Sequence, residues 1–176
     1  ARGGKALNFK RVPVIKKQAI GAYDPRLIEV TGLAMMLTAQ GADHTVGNAA
    51  TFKCDDKTVE ELVAESLRMQ INAAVADSLG LCVFGRSVTD ENLELIANAI
   101  NDAFDAGVTP GFIRNIGVET LRLEAAFNSA AGFGEGDDEL PAFFHEEPLP
   151  PTGKMARLYS REVNAAMQNL MEAQSL

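Results

Sequence analysis

The sequence predicts an all-α protein, and three observations carry that prediction. Val59, Leu62, Val63, Leu67, Ile71, Val75 and Leu79 recur at spacings of three and four, which is one face of a long helix. Helix start signals precede this stripe and a later one: Thr58 with Glu61, and Thr109 with Pro110. No run alternates apolar and polar residues long enough for a strand of useful length, and no internal repeat appears.

The elements follow in order. Residues 1–27 hold Lys, Arg, Gly and two prolines around a short apolar stretch, Val12 to Ile15, and read as loop or extended chain. Pro25 suits a helix start, where its missing N–H leaves no bond unmade. Leu27 to Gln40 is apolar enough for a buried helix that Gly41 stops. Gly41 to Phe52 is small and polar, hence a loop. Lys57 to Ser78 is the clearest helix. Thr58 and Glu61 form a capping box that closes two orphan N–H groups reciprocally, and Gly80 ends the helix. Thr89 is expected to cap a helix running to about Ala106, with Leu93, Ile96, Ala97, Ile100 and Phe104 on its stripe. Thr109-Pro110 opens another, to about Ala131, carrying Ile113, Ile116, Leu121, Leu123 and Phe127. Gly117 inside it weakens the helix by about 1 kcal/mol relative to Ala. Gly132 to Gly153 is rich in Gly, Pro and acids and reads as a long loop, and Ser160 to about Ala173 is the last helix.

Composition bounds the function. The chain has 176 residues, 16 Lys+Arg and 24 Asp+Glu, for a net charge of −8. That length fits one domain with a substantial core, and 47% apolar residues are too many for intrinsic disorder. The longest run without a charged side chain is 13 residues, Val30 to Ala42, whereas a bilayer needs about 20. The acidic balance argues against nucleic acid, whose phosphates demand a basic face. Cys54 and Cys82 lie in no C-x-x-C or Cys/His cluster, so this chain alone cannot build a four-ligand metal site. They read as reduced thiols of a cytosolic protein. Ala1 to Lys10 lacks the apolar segment of a signal peptide. The first residue is not Met, so a processed chain or a piece of a longer one is expected.

Few single residues point to chemistry. His44 sits in a polar loop, where a histidine serves either as a hydrogen-bonded structural group or in proton transfer. Asp77 near a helix C-terminus opposes the macrodipole and so hints at a partner outside its own helix. Cys82, by itself, reads as a buried core thiol. Glu135, Asp137, Asp138 and Glu139 read as a solvated loop. Glu146-Glu147 could be an acid/base pair but nothing supplies it a partner. Met35-Met36 reads as core filler, and no phosphate-binding glycine loop exists.

Taken together, four stretches resemble the C-terminal region of the tungsten- or molybdenum-dependent aldehyde ferredoxin oxidoreductases. The first is Asp77-Ser78-Leu79-Gly80-Leu81-Cys82 with Phe84 behind it. The second is Tyr23-Asp24-Pro25-Arg26, then Thr31-Gly32-Leu33-Ala34 and Gly41-Ala42-Asp43-His44. The third is Leu121-Arg122-Leu123-Glu124-Ala125-Ala126-Phe127-Asn128, then Gly132-Phe133. The fourth is Asp137-Asp138-Glu139-Leu140-Pro141, then Glu146-Glu147-Pro148-Leu149-Pro150. In register they span Tyr23 to about Lys154.

The resemblance implies a multihelical C-terminal domain over residues 27–176, entered through a segment, 1–26, that arrives from a preceding domain. It implies that Asp77 hydrogen-bonds a pterin of a bis-pterin tungsten (or molybdenum) cofactor, and that Leu81 gives that pterin backbone contacts. It implies that Cys82 is the fourth thiolate of a 4Fe–4S cluster whose other three cysteines lie outside this chain. His44 would stand near the metal and help move a proton. The whole enzyme would oxidise a small aldehyde to a carboxylic acid and pass electrons through the cluster to ferredoxin. The further implications are the enzyme's own N-terminal domains as partners, a homo-oligomer, a cytoplasmic setting, and no nucleic acid or membrane. This stretch alone would be inactive. Cys54 matches no ligand position. The family's aromatic, Arg-Gly-Trp-containing C-terminal segment is missing after Leu176, which suggests a chain cut at both ends or a divergent branch. Two rivals stand beside this reading. One is a related reductase acting on an aromatic acyl-thioester; the other is a degenerate, non-enzymatic helical binding module.

Overall fold

The computed structural model describes residues 8–174. The first seven residues of the expected lead-in segment, and the last two of the chain, lie outside the described residues. The architecture is all-α apart from one small hairpin.

That hairpin corrects the reading of residues 1–27. Val14–Ile15 (β1) pairs antiparallel with Gln18–Ala19 (β2). Lys16 and Lys17 form the two-residue turn, at φ 48° and 65°. Left-handed backbone at both central positions matches the twist of a tight hairpin, a geometry usually supplied by Asn or Gly. The Lys16 side chain is buried and bound: Nζ pairs with Asp138 and donates to the Met36 carbonyl.

The first helix, α1, is Glu29–Leu37, shorter at both ends than the apolar run suggests. The Asp24–Ile28 turn precedes it, with Ile28 N–H donating to the Asp24 carbonyl. Thr38 ends it in extended backbone. Val30 to Met36 are all buried. Val59–Ser78 forms α2, whose capping box is made as expected: Thr58 Oγ1 accepts from Glu61 N, and Glu61 Oε2 accepts from Thr58 N.

The next stretch differs from expectation. Arg86–Thr89 is a short separate helix, α3, and α4 runs only from Leu93 to Phe104. Thr89 ends α3 instead of capping α4, because its hydroxyl donates back to the Arg86 carbonyl. Asp105, at φ 49°, terminates α4 before Ala106. Pro110–Ala130 forms α5, with Thr109 Oγ1 accepting from Phe112 N. Gly117 within it has a packing reason. A Cβ there would stand 2.5 Å from the Ile71 carbonyl oxygen, so α2 and α5 cross almost backbone to backbone.

The acidic loop is solvated only in part: Glu135 is exposed, whereas Asp138 is buried. It contains a 3₁₀ turn, Glu135–Asp138, a short helix, Phe143–Glu146 (α6), and a bridge between Leu149 and Lys154. Asp138 is buried against Lys16 and Asn164. Glu139 accepts from both N–H and hydroxyl of Ser160, the first residue of the last helix, Ser160–Ala173 (α7). A carboxylate at that place satisfies orphan donors and the positive end of the helix. Glu147 is an ion-pair partner of Arg11.

The main core joins α1, the first half of α2, α6 and α7 through residues such as Leu33, Met36, Leu62, Leu158 and Val163. A second patch, Val75, Ala97 and Ile113, joins the far half of α2 to α4 and α5. Thus α2 is the central spar, and its far end carries the motif Asp77 to Cys82. Among the described residues no helix is long and apolar enough to cross a membrane.

Candidate functional site

The far end of α2 closes with a Schellman motif. Gly80 N–H donates to the Asp77 carbonyl and Leu81 N–H to the Ala76 carbonyl at 2.8 Å, with Gly80 at φ 67°. Only glycine adopts that left-handed turn without strain. Leu81 drops its side chain beside Val75 and Ala76, the apolar contact this motif favours. Its amide is therefore committed to the cap, which leaves its carbonyl for outside contacts.

The chain then leaves the helix body. Cys82 is extended, free and exposed, which corrects its reading as a core thiol. Cys54 is the buried one, with Sγ directed to the Phe52 carbonyl at 3.5 Å. After Cys82, Phe84 stands 94% exposed. Arg86 pins this arm back to α2: its Nη2 donates to the Met69 carbonyl at 3.1 Å and pairs with Asp90. One turn thus presents an exposed carboxylate, Asp77, and an exposed thiol, Cys82, on a tethered support.

His44 stands on the loop after α1. Thr38 Oγ1 donates to the Gly41 carbonyl, and Gln40 and Thr45 both donate to Asp43, so the loop is tied internally. The imidazole lies against Tyr23, ring centroids 4.9 Å apart, with Nδ1 3.8 Å from Asp43 Oδ1. A Cβ on Gly21 would come within 3.0 Å of Nδ1, so that glycine gives the ring its place.

A cavity of about 90 Å³ opens beside Asp77. Gln40 and Val46, on either side of His44 in the chain, line it together with Asp77, Ser78, Thr120 and Glu124. The His44 ring itself does not line it; neither do Cys82 and Leu81, the latter lining a separate small cleft with Val75 and Ala76. Burial raises the Glu124 carboxyl above its usual range, and the negative charge of Asp77 raises it further. Glu124 belongs to a matched stretch, yet the sequence reading gives it no role. The available signal is its place seven residues beyond Gly117, a carboxylate on the small and apolar face that meets α2.

Among the described residues no three His, Cys, Asp or Glu side chains gather as a metal site. What the turn offers is one thiol and one carboxylate. That is a partial donor set, suited to a group whose remaining ligands come from elsewhere. An uncommitted, accessible thiol is the ligand an iron–sulfur cluster takes, and an uncommitted carboxylate suits a row of N–H donors. The residues fit such groups.

Fold and turn together define a helical domain that presents an open carboxylate and an open thiol at one end of its central helix. The profile of aldehyde ferredoxin oxidoreductase, domains 2 & 3, matches residues 4–173. The chain belongs to the aldehyde ferredoxin oxidoreductase family, whose members are oxidoreductases. It is similar to the tungsten-containing aldehyde ferredoxin oxidoreductase of Pyrococcus horikoshii, 30% identical over 147 residues, covering 77% of this chain and 24% of the relative. The Pyrococcus furiosus protein of the same description matches equally, at 30% over 147 residues with the same coverage. That of Thermococcus kodakarensis is 29% identical over the same length. The chain spans about a quarter of the length of these relatives.

Proposed function

We propose that residues 27–176 form the C-terminal helical domain of an enzyme that oxidises an aldehyde to a carboxylic acid, residues 1–26 arriving from the preceding domain. The observation that carries this reading is the Asp77–Cys82 turn, with its exposed carboxylate and free, exposed thiol, inside a chain of this family. Asp77 holds the N–H edge of a pterin, and the Leu81 carbonyl adds a second contact. Cys82 supplies one thiolate to a 4Fe–4S cluster, with three further cysteines outside this chain. When bound, the bis-pterin tungsten or molybdenum centre and the cluster supply the redox chemistry and pass electrons to ferredoxin.

The chain's own work is to hold and to move protons. The capped α2 fixes Asp77 and Cys82 relative to each other, and Arg86 keeps the arm from swinging. His44, oriented by Tyr23 and Asp43, takes a proton near the reacting carbon. Most cofactor ligands lie outside residues 1–176, so this stretch alone is inactive.

The test is elemental analysis of the intact protein purified without oxygen, with and without Cys82→Ser. The expected result is about one tungsten or molybdenum and about four irons per chain, the irons being lost in the variant. A folded, full-length protein without metal overturns the reading and leaves Asp77 and Cys82 as parts of a binding module.

A further inference from the structure

The hairpin and the segment that leaves it meet the chain around His44 point by point, in the same order along both. Lys16 Nζ donates to the Met36 carbonyl, one of the last four of α1. The Gln18 side chain packs over Gly41, where a Cβ would stand 3.2 Å from Nε2. Gly21 lies against the His44 ring, where a Cβ would stand 3.0 Å from Nδ1, and the Tyr23 ring adjoins the imidazole. The return leg of the hairpin therefore runs alongside the chain from the end of α1 to His44.

The turn of this hairpin is bound unusually firmly. Lys16 and Lys17 keep left-handed backbone, which a residue with a Cβ holds only where its surroundings impose it. The surroundings here are the partners of Lys16. Its buried ammonium pairs with Asp138 and meets an orphan carbonyl at the negative end of α1. Its N–H donates to the Asp137 carbonyl at 3.2 Å. Asp138 in turn accepts from Asn164 at 3.0 Å. One lysine thus ties the hairpin to α1, to the 3₁₀ turn and, through Asp138, to α7.

We propose that the hairpin is the wall that positions His44, and that Lys16, buried in its pair with Asp138, is the remote positioning residue that holds this wall in place. This rests on the reading above, in which His44 takes a proton. The Nδ1 edge of the ring faces Gly21 and Asp43, while 39% of the side chain stays exposed, so the wall fixes the imidazole without closing it off. An imidazole free of the wall has several staggered orientations open to it, and proton transfer needs one of them. Lys16 touches no reacting atom; it acts through Gln18, Gly21 and Tyr23.

The test is a double-mutant cycle in the full-length holoenzyme, purified anaerobically. One variant, Lys16→Met/Asp138→Asn, removes the anchor without leaving a buried charge alone. The other, Gly21→Ala, adds a methyl group between wall and ring; the backbone there is not left-handed, so the methyl is the whole change. Each is expected to lower kcat roughly tenfold or more, with KM and metal content unchanged. In a His44→Asn background each is expected to change kcat less than about twofold, because the residue they act through is gone. Carbethoxylation of His44 by diethyl pyrocarbonate, followed by mass spectrometry, is expected to change in rate in both variants. Unchanged kcat and unchanged His44 reactivity overturn the wall. The same loss of kcat with and without His44 also overturns it, by making the hairpin a general support. A paired variant that does not fold overturns the remote role of Lys16 and leaves Gly21→Ala to decide the wall. A metal-loaded His44→Asn enzyme with wild-type turnover overturns the proton role of His44 itself, and the proposal with it.

Discussion

At one end of α2, Leu62 and Val63 are fully buried among Val30, Leu33, Met36 and Val163. At the other, Cys82 is exposed and Phe84 stands 94% in solvent. The polar groups divide in the same way. Near the first end, Glu29 takes both Nε and Nη2 of Arg157, Asp24 holds Arg26, and Lys16 holds Asp138. Near the second, among the described residues, no hydrogen bond reaches the Asp77 carboxylate. A protein that satisfies its charges so fully in one place can satisfy them in another. Here an exposed apolar ring, Phe84, stands near an open carboxylate and an open thiol, a composition that suits an interaction surface. The large buried core lies in the first region, and the contacts proposed for the cofactors lie in the second.

The largest expected effect tests the stable region. Leu62→Ala removes a fully buried side chain and is expected to cost about 3 kcal/mol in chemical unfolding of the purified protein. A loss under about 1 kcal/mol would mean that the core near α1 is not the stable half. Next, Arg157→Met leaves the buried Glu29 carboxylate without its fork. The expected loss is about 2 kcal/mol, below the range for fully buried pairs because Arg157 is itself partly solvated. A neutral result would show that water replaces the guanidinium there.

A pH effect of smaller size follows from Asp24. Burial pushes its carboxyl up, but side-chain and backbone hydrogen bonds from Arg26 outweigh that and hold it below the ordinary 3.8. A lowered folded pKa adds stability that is present above the unfolded value and lost as pH falls through the folded one. The gap in thermal midpoint between wild type and Asp24→Asn should therefore be full near neutral pH and close below about pH 4. A gap independent of pH would assign the effect to packing. The smallest effect belongs to the other region. Phe84→Ala is expected to change stability by no more than about 0.5 kcal/mol, since the ring is already in solvent. A large loss would show that this ring has a place within the domain after all.

The sequence was most readable where one local rule decides the backbone. The Thr58–Glu61 box and Thr109-Pro110 mark their helix starts within a residue. Gly80 marks a stop because a left-handed position there asks for it. The misreadings came where a distant partner decides. Lys16 and Lys17 turn a hairpin that no Asn or Gly announces, and the Lys16 side chain is held by Asp138, far along the chain. Asp138 and Glu139 look solvated until Lys16, Asn164 and Ser160 are seen beside them. Thr89 has the residue type of a cap but spends its hydroxyl on Arg86. Of the site, the Asp77–Cys82 turn is contiguous and legible as a motif. The place of Glu124 beside Asp77 is not, because it exists only where α2, α5 and the chain after α1 converge.

The contrast between the two cysteines also sets the order of damage by air. Thiols react with oxidants where they can be reached, and a sulfenic acid formed on one copy is captured by the thiol of another. Cys54 is shut inside, while Cys82 stands on the surface of its own domain. Of the two, Cys82 is therefore the thiol that an oxidant reaches first. Two copies of this domain can therefore crosslink through Cys82, with the helical core around Cys54 left chemically intact.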